Sequence, residues 1–293
     1  MSALRLAYKA CAAAQWALLL ALPHLLRPYW PAYLAFIGGE QNANVLGNAL
    51  VSSLVLLANN LFFLALYRAE APFFEAFRLS RAPWPWRAAP AKAAAFAATV
   101  RQGALLTLLN VALTLPLGYA SYGGAKRLGY SAALDTYPSA LTVAWQLAVF
   151  MAVEDALFYW GHRALHHPSV YARVHKLHHA FHHSVSIAAT ATHPLEYAVS
   201  NVVPFVAGPT ILGAHAATMY VWIVFRVTET VVNHSGYALP WSMFELLPFQ
   251  GSARAHDLHH SKNTGNFGSL FEVWDRAMGT CIDEGEEGAA KAE

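Results

Sequence analysis

Charged residues are missing from this sequence in blocks. No Asp, Glu, Lys or Arg occurs between Lys9 and Arg27, Glu40 and Arg68, Arg101 and Lys126, Asp135 and Glu154, or Glu196 and Arg226. A helix needs about 20 mostly apolar residues to cross a bilayer. Three of the windows meet that length outright, and the other two meet it if their flanking charges snorkel to the interface. The pattern predicts spanning helices over 10–26, 46–67, 102–119 and 141–160. A fifth apolar stretch, 197–225, is interrupted by Pro204, Gly208, Pro209 and Gly213. It reads as a helical hairpin that enters the membrane and returns. Arg226 and Glu229 follow its second arm and are expected to face protein or a wet cavity rather than lipid.

The few charges that remain set an orientation. Segment 68–101 carries Arg68, Arg78, Arg81, Arg87, Lys92 and Arg101 against Glu70 and Glu75. The positive-inside rule makes it cytosolic, and Arg5 and Lys9 place the N-terminus on the same side. Alternating spans then bring 161–196 and 233–293 to that side too. The prolines of 69–100, with Trp84 and Trp86, suggest an interfacial segment at headgroup depth. The acidic, small-residue tail from Asp283 is expected to be disordered. The predicted fold is an all-α integral membrane bundle of about four spanning helices and a membrane-dipping hairpin, with a cytosolic helical cap. Its parts are 1–140, spanning and interfacial; 141–282, rich in histidine; and the tail 283–293.

Composition agrees with a membrane protein. Hydrophobic residues are 56% and charged residues 12%, about half the charged share of an ordinary soluble domain. A net charge of +2 argues against nucleic-acid binding. The cysteines, Cys11 and Cys281, are far apart and suggest neither a disulfide framework nor a thiolate metal site. The apolar N-terminus lacks a small-x-small cleavage site followed by a polar mature start and reads as a retained helix, with a removed signal peptide as the weaker alternative.

Thirteen of the fifteen histidines lie between His162 and His260 outside the hairpin. They concentrate in three boxes: His162-Arg-Ala-Leu-His166-His167, His175-Lys-Leu-His178-His179 and His256-Asp-Leu-His259-His260. Residues three and four apart share a helix face, so each box aims two or three imidazoles at one place. Imidazole nitrogen suits first-row divalent metals. Eight of the nine box histidines fall at this spacing, more than one ion takes, and two ions are the economical count. Iron and zinc both accept such ligands. No H-E-x-x-H occurs, so the zinc-protease signature is absent. Asp155, two turns before His162, is a candidate to hold the far N–H of a ligating imidazole. Glu154 and Glu229 compete for that role, and a buried ion pair with Arg163 or Arg226 is the plainer alternative. His24 and His215 read as ordinary lone histidines, and His182 and His183 as an extension of a polar helix.

At these boxes the sequence resembles the fatty acid hydroxylase superfamily, and within it the C-4 methylsterol monooxygenases. The resemblance rests on Glu154-Asp155, the three boxes, His-Pro-Leu-Glu at 193–196, His-Ser-Gly-Tyr at 234–237, and the Trp-Asp-Arg-x-x-Gly-Thr ending at 274–280. It is strong over 150–281 and faint before that. It implies a non-haem centre of two iron ions that uses O2 to oxidise a sterol methyl group. It also implies an endoplasmic reticulum membrane protein with a cytosolic active site and a cytochrome b5-type electron donor. By motif, the implied ligands are His162, His166, His175, His178, His179, His256, His259 and His260, with His193 and His234 completing a set of ten. His167 could replace His166. Other oxidases of the superfamily, such as C-5 sterol desaturases and fatty acid hydroxylases, share the boxes. A metal transporter is the alternative outside enzymes, but the first three spans offer almost no polar path. The family usually places an acidic residue and a tyrosine shortly before the His-Pro pair. Here the run is Ala188-Ala-Thr-Ala-Thr192, which leaves the exact sterol open.

Overall fold

The computed structural model describes residues 3–282, and the predicted disordered tail lies outside them. Among the described residues there is no strand, and only three isolated bridges join extended segments. The main helices are α1 (Ala3–Leu26), α2 (Trp30–Ile37), α3 (Asn48–Ala69), α4 (Pro90–Arg127), α5 (Ala140–Leu165), α6 (Val203–Leu212), α7 (Ala216–Asn233) and α8 (Ala253–Lys262). Five helical stretches are long and apolar enough to cross a membrane: Ala3–Ile37, Glu40–Ala69, Pro90–Arg127, Ala140–Leu165 and Pro194–Leu212. The chain is a multi-pass membrane protein.

The hairpin predicted over 197–225 is present, but its arms differ. A π-helical turn, Tyr197–Val202, joins the start of the first arm to α6, and of the two arms that one is both long and apolar enough to span. The second arm, α7, is the centre of the bundle: Trp222, Phe225, Val221 and Met219 are buried in a cluster with residues of α1 and α5. Gly213 makes the turn at φ 55°. A Cβ there would stand 2.6 Å from the Leu128 carbonyl oxygen, so the bend is open to glycine on steric and conformational grounds alike.

The segment expected to lie at the interface is shorter than 69–100. Pro90 opens α4 after an extended Ala89, a favoured first position because proline has no N–H to leave unpaired. Trp84 is not at the surface. It is buried against Tyr67 and Tyr237, and stacks on the half-buried Trp86 at 5.0 Å.

Side-chain bonds tie the connections into two opposite ends. At one, the Trp30 indole donates to the Ala132 carbonyl at 2.7 Å and the Tyr137 hydroxyl to that of Pro23 at 2.7 Å. At the other, Gln15 and Trp16 donate to the carbonyls of Trp241 and Met243. The Tyr67 hydroxyl donates to the Ser235 carbonyl there, and Leu79 N–H to that of Gly236. The histidine boxes, the basic 68–89 segment and the start of α1 share this second end. Ser139 and Ser252 cap α5 and α8 by accepting from Thr142 and Ala255 N–H, a standard N-terminal stabilisation.

Candidate metal centre

Among the described residues, the histidines converge in two adjoining nests. The first holds His162, His166, His175, His179 and His259; the second holds His178, His234, His256 and His260. The box members are dealt out by spacing. In each pair at i, i+4 both rings enter one nest: His162 with His166, His175 with His179, His256 with His260. The i+3 member, His178 or His259, crosses to the other nest. The expectation that one box aims three rings at one place is therefore corrected. The same division occurs in both backbone settings: box two lies in a 3₁₀ turn, His175–Ala180, and box three in α8. The nests touch where the His179 and His260 ring centres are 4.8 Å apart.

Within each nest the Nε2 atoms face one another. His175 Nε2 lies 3.1, 3.0 and 3.0 Å from those of His162, His166 and His179. His256 Nε2 lies 2.9 Å from His234 and 3.1 Å from His260, and His234 lies 3.3 Å from His178. The opposite ring nitrogens fix the tautomers. His162 Nδ1 donates to the Phe267 carbonyl at 2.8 Å, His259 Nδ1 to that of Gly265 at 2.7 Å, and His234 Nδ1 to that of Thr230 at 2.7 Å. A ring whose Nδ1 proton goes to a carbonyl turns the lone pair of its Nε2 into the nest. Burial holds His256, His259 and His260 well below the ordinary histidine range and pushes His179 down to about 3. These rings are neutral at physiological pH.

Lone pairs crowded at about 3 Å repel unless a cation sits among them. Two imidazole nitrogens each about 2.1 Å from one ion and subtending a right angle would be about 3.0 Å apart. The observed separations match, and an all-imidazole set suits iron, zinc, copper or nickel. The residues therefore fit a pair of first-row divalent ions.

Nine of the ten sequence-predicted ligand positions enter the nests. His193 does not. It caps the following turn, with Nδ1 accepting from Leu195 N–H at 3.1 Å. Of the competing neighbours His166 and His167, the former converges, while the latter is exposed and caps the next turn. His182 and His183 are exposed, and His215 is buried at the distal end, donating to the Ala133 carbonyl.

The carboxylates are placed differently from expectation. Asp155 does not meet His162. It accepts Phe271 N–H at 2.9 Å and so holds the loop whose Phe267 carbonyl supports that ring. Glu229 takes the ion-pair alternative. It pairs with Arg226 and accepts from Asn233 at 2.6 Å, while Arg226 also donates to Glu154 at 2.8 Å and Ser269 at 2.8 Å. The carboxylate beside a nest is Glu196, whose Oε1 lies 2.9 Å from His175 Nδ1 with both side chains buried. It stands in the His-Pro-Leu-Glu motif, at the edge of a charge-free window, and that position is the signal that could have found it. Asp275 was also unassigned. It is buried and accepts Phe267 and Gly268 N–H at 2.9 and 2.7 Å, clamping the same loop. Its signal is the Trp-Asp-Arg ending.

The sequence pattern of the family described as fatty acid hydroxylase matches residues 147–280, the stretch that holds both nests. A very-long-chain aldehyde decarbonylase of Oryza sativa subsp. indica is 40% identical over 181 residues, 61% of this chain and 67% of that protein. A methylsterol monooxygenase of Arabidopsis thaliana is 36% identical over 178 residues, covering 60% and 66%. Another, of Aspergillus fumigatus, is 36% identical over 178 residues, covering 59% and 60%. No solved structure matches.

Proposed function

The chain belongs to the fatty acid hydroxylase family, and from that premise we propose that it is a methylsterol monooxygenase. It oxidises a C-4 methyl group of a sterol precursor with O2, two non-haem iron ions and electrons from a cytochrome b5-type donor. The observation that carries the reading is the pair of imidazole nests at one end of an apolar bundle. Relatives named methylsterol monooxygenase support the substrate class.

His162, His166, His175, His179 and His259 would hold one ion, and His178, His234, His256 and His260 the other. When bound, iron supplies the activation of O2 that an unactivated C–H bond requires. The protein's own residues do the rest. The Phe267, Gly265 and Thr230 carbonyls fix ring orientation and keep lone pairs turned inward, and Glu196, placed behind His175, offsets positive charge. Asp155 and Asp275 brace the 263–271 loop. The apolar helices admit a lipid sideways and keep water away from reactive species. The protein resides in the endoplasmic reticulum membrane with the nests at the cytosolic face, where a soluble donor domain reaches them.

The test is sterol profiling after expression in a host lacking its own C-4 oxidase. Disappearance of 4-methyl and 4,4-dimethyl sterols is expected, along with about two iron ions per purified chain. Unchanged sterols with well-folded, metal-loaded protein would reject the assignment. The second reading is decarbonylation of a very-long-chain aldehyde, favoured by the 40% identity to the rice protein. Aldehyde consumption without sterol change would select it.

A further inference from the structure

Beside the second nest, the Arg226 ion pair opens onto a cavity of about 130 Å³ lined by, among others, Ser52, Glu154, Thr190, Asn201, Arg226 and Thr230. Its deep wall is polar and its position is informative. Thr230 supplies the carbonyl that holds His234 Nδ1, so the cavity lies one residue from a nest ring. Its outer side is formed by Ser52 of α3 and by Val202 and Phe205 of the Pro194–Leu212 helix, both elements apolar enough to span a membrane. An apolar molecule can therefore enter from the bilayer with its polar end leading.

One atom of a lining residue, just behind the cavity surface, is unsatisfied. Arg226 donates to Glu154 Oε1, to Glu229 and to Ser269, while Glu154 Oε2 is buried without a partner. The Glu154 residue is only 2% exposed. A buried carboxylate oxygen with no donor is costly, and it is relieved by whatever brings an O–H to it. Two carboxylates around one guanidinium also leave the wall short of positive charge. A second anion is disfavoured there, and an aldehyde carries no donor to offer.

We propose that Glu154 recognises a hydroxyl group, so that this cavity receives the alcohol end of a lipid substrate entering between α3 and the 194–212 helix. The cavity volume accommodates such a polar end and its adjoining carbons, with the remainder of the molecule in the lateral opening. This rests on the function proposed above and adds the group by which the substrate is held.

The test uses full-length, iron-loaded protein in lipid nanodiscs and displacement of a radiolabelled 4,4-dimethylsterol. Competitors are the free 3-alcohol, its 3-O-methyl ether and a long-chain aldehyde. The alcohol is expected to compete at about tenfold lower concentration than the ether, as a charged acceptor discriminates against an analogue lacking the donor. In Glu154→Gln the amide oxygen stays with Arg226 and the NH2 group replaces the free oxygen. The gap should then shrink to about twofold or less. Equal competition by alcohol and ether in the wild type, tighter aldehyde binding, or an unchanged gap in folded Glu154→Gln would each overturn the proposal. The wild-type comparison decides even if the variant does not fold. Preferential alcohol binding without oxidation would reject the reaction and leave the hydroxyl receptor standing. Oxidation of alcohol and ether alike, with equal binding, would do the reverse.

Discussion

His175 has the densest surroundings of the nine nest rings. Three other imidazoles meet its Nε2, and Glu196 meets its Nδ1. Replacing Glu196 by Gln removes the negative charge while keeping the shape. Loss of a carboxylate behind a ligating imidazole weakens metal retention about 10–100-fold. Iron remaining after graded chelator treatment is therefore expected to fall in Glu196→Gln. Membrane insertion should be unchanged, and equal retention in variant and wild type would remove Glu196 from the centre. A control lies nearby: His183 is exposed, and His183→Ala is expected to retain metal like the wild type. At this scale the ring positions were legible because spacing by three and four is itself the chemistry. Their supports were not. Asp155 sits two turns from His162 on one helix, yet it binds a loop more than a hundred residues away. His193 looked like a ligand by motif, but its ring is engaged by its own backbone neighbour.

Among the helices, charge-free windows announced where the chain crosses the bundle but misjudged how far each helix runs. Composition marks the apolar portion only, whereas caps and prolines mark the ends. Pro90 starts α4 twelve residues before the predicted 102. Packing between α5 and α6 depends on a position no window reveals. Gly208 lies so close to α5 that a Cβ would be 2.8 Å from Phe150 Cα. That atom is backbone and cannot step aside, so the two helices must part. Gly208→Leu is expected to cost about 1–3 kcal/mol or more, the range for overpacking a close-packed interior. The check is thermal melting in detergent, where a lower midpoint with metal content initially intact is expected. An unchanged midpoint would mean that the contact is looser than drawn.

Across the whole molecule, the connections sort into two ends, and both nests share one end with the basic 68–89 segment. Sequence charge assigns that end to the cytosol. Glycosylation tags inserted at residue 130 are expected to be modified and tags at residue 85 not, read as a mobility shift removed by glycosidase. Modification at 85 would invert the orientation. That the histidine boxes and the basic segment share one end was legible beforehand, because the charge-free windows between them alternate along the chain. The role of α7 was less visible, since an apolar arm bathed in lipid and one enclosed by other helices have the same composition. The exchange of His178 and His259 between the nests carries a last consequence, in the statistics of metal occupancy. Each H-x-x-H-H turn contributes to both nests, so the first ion to arrive orders segments that the second would otherwise have to order. The second ion then binds at lower entropic cost, which is positive cooperativity without a change of fold. Native mass spectrometry of half-saturated protein should show chains carrying none or two ions, with single occupancy scarce. Binomial filling would show instead that the turns are rigid before any ion arrives.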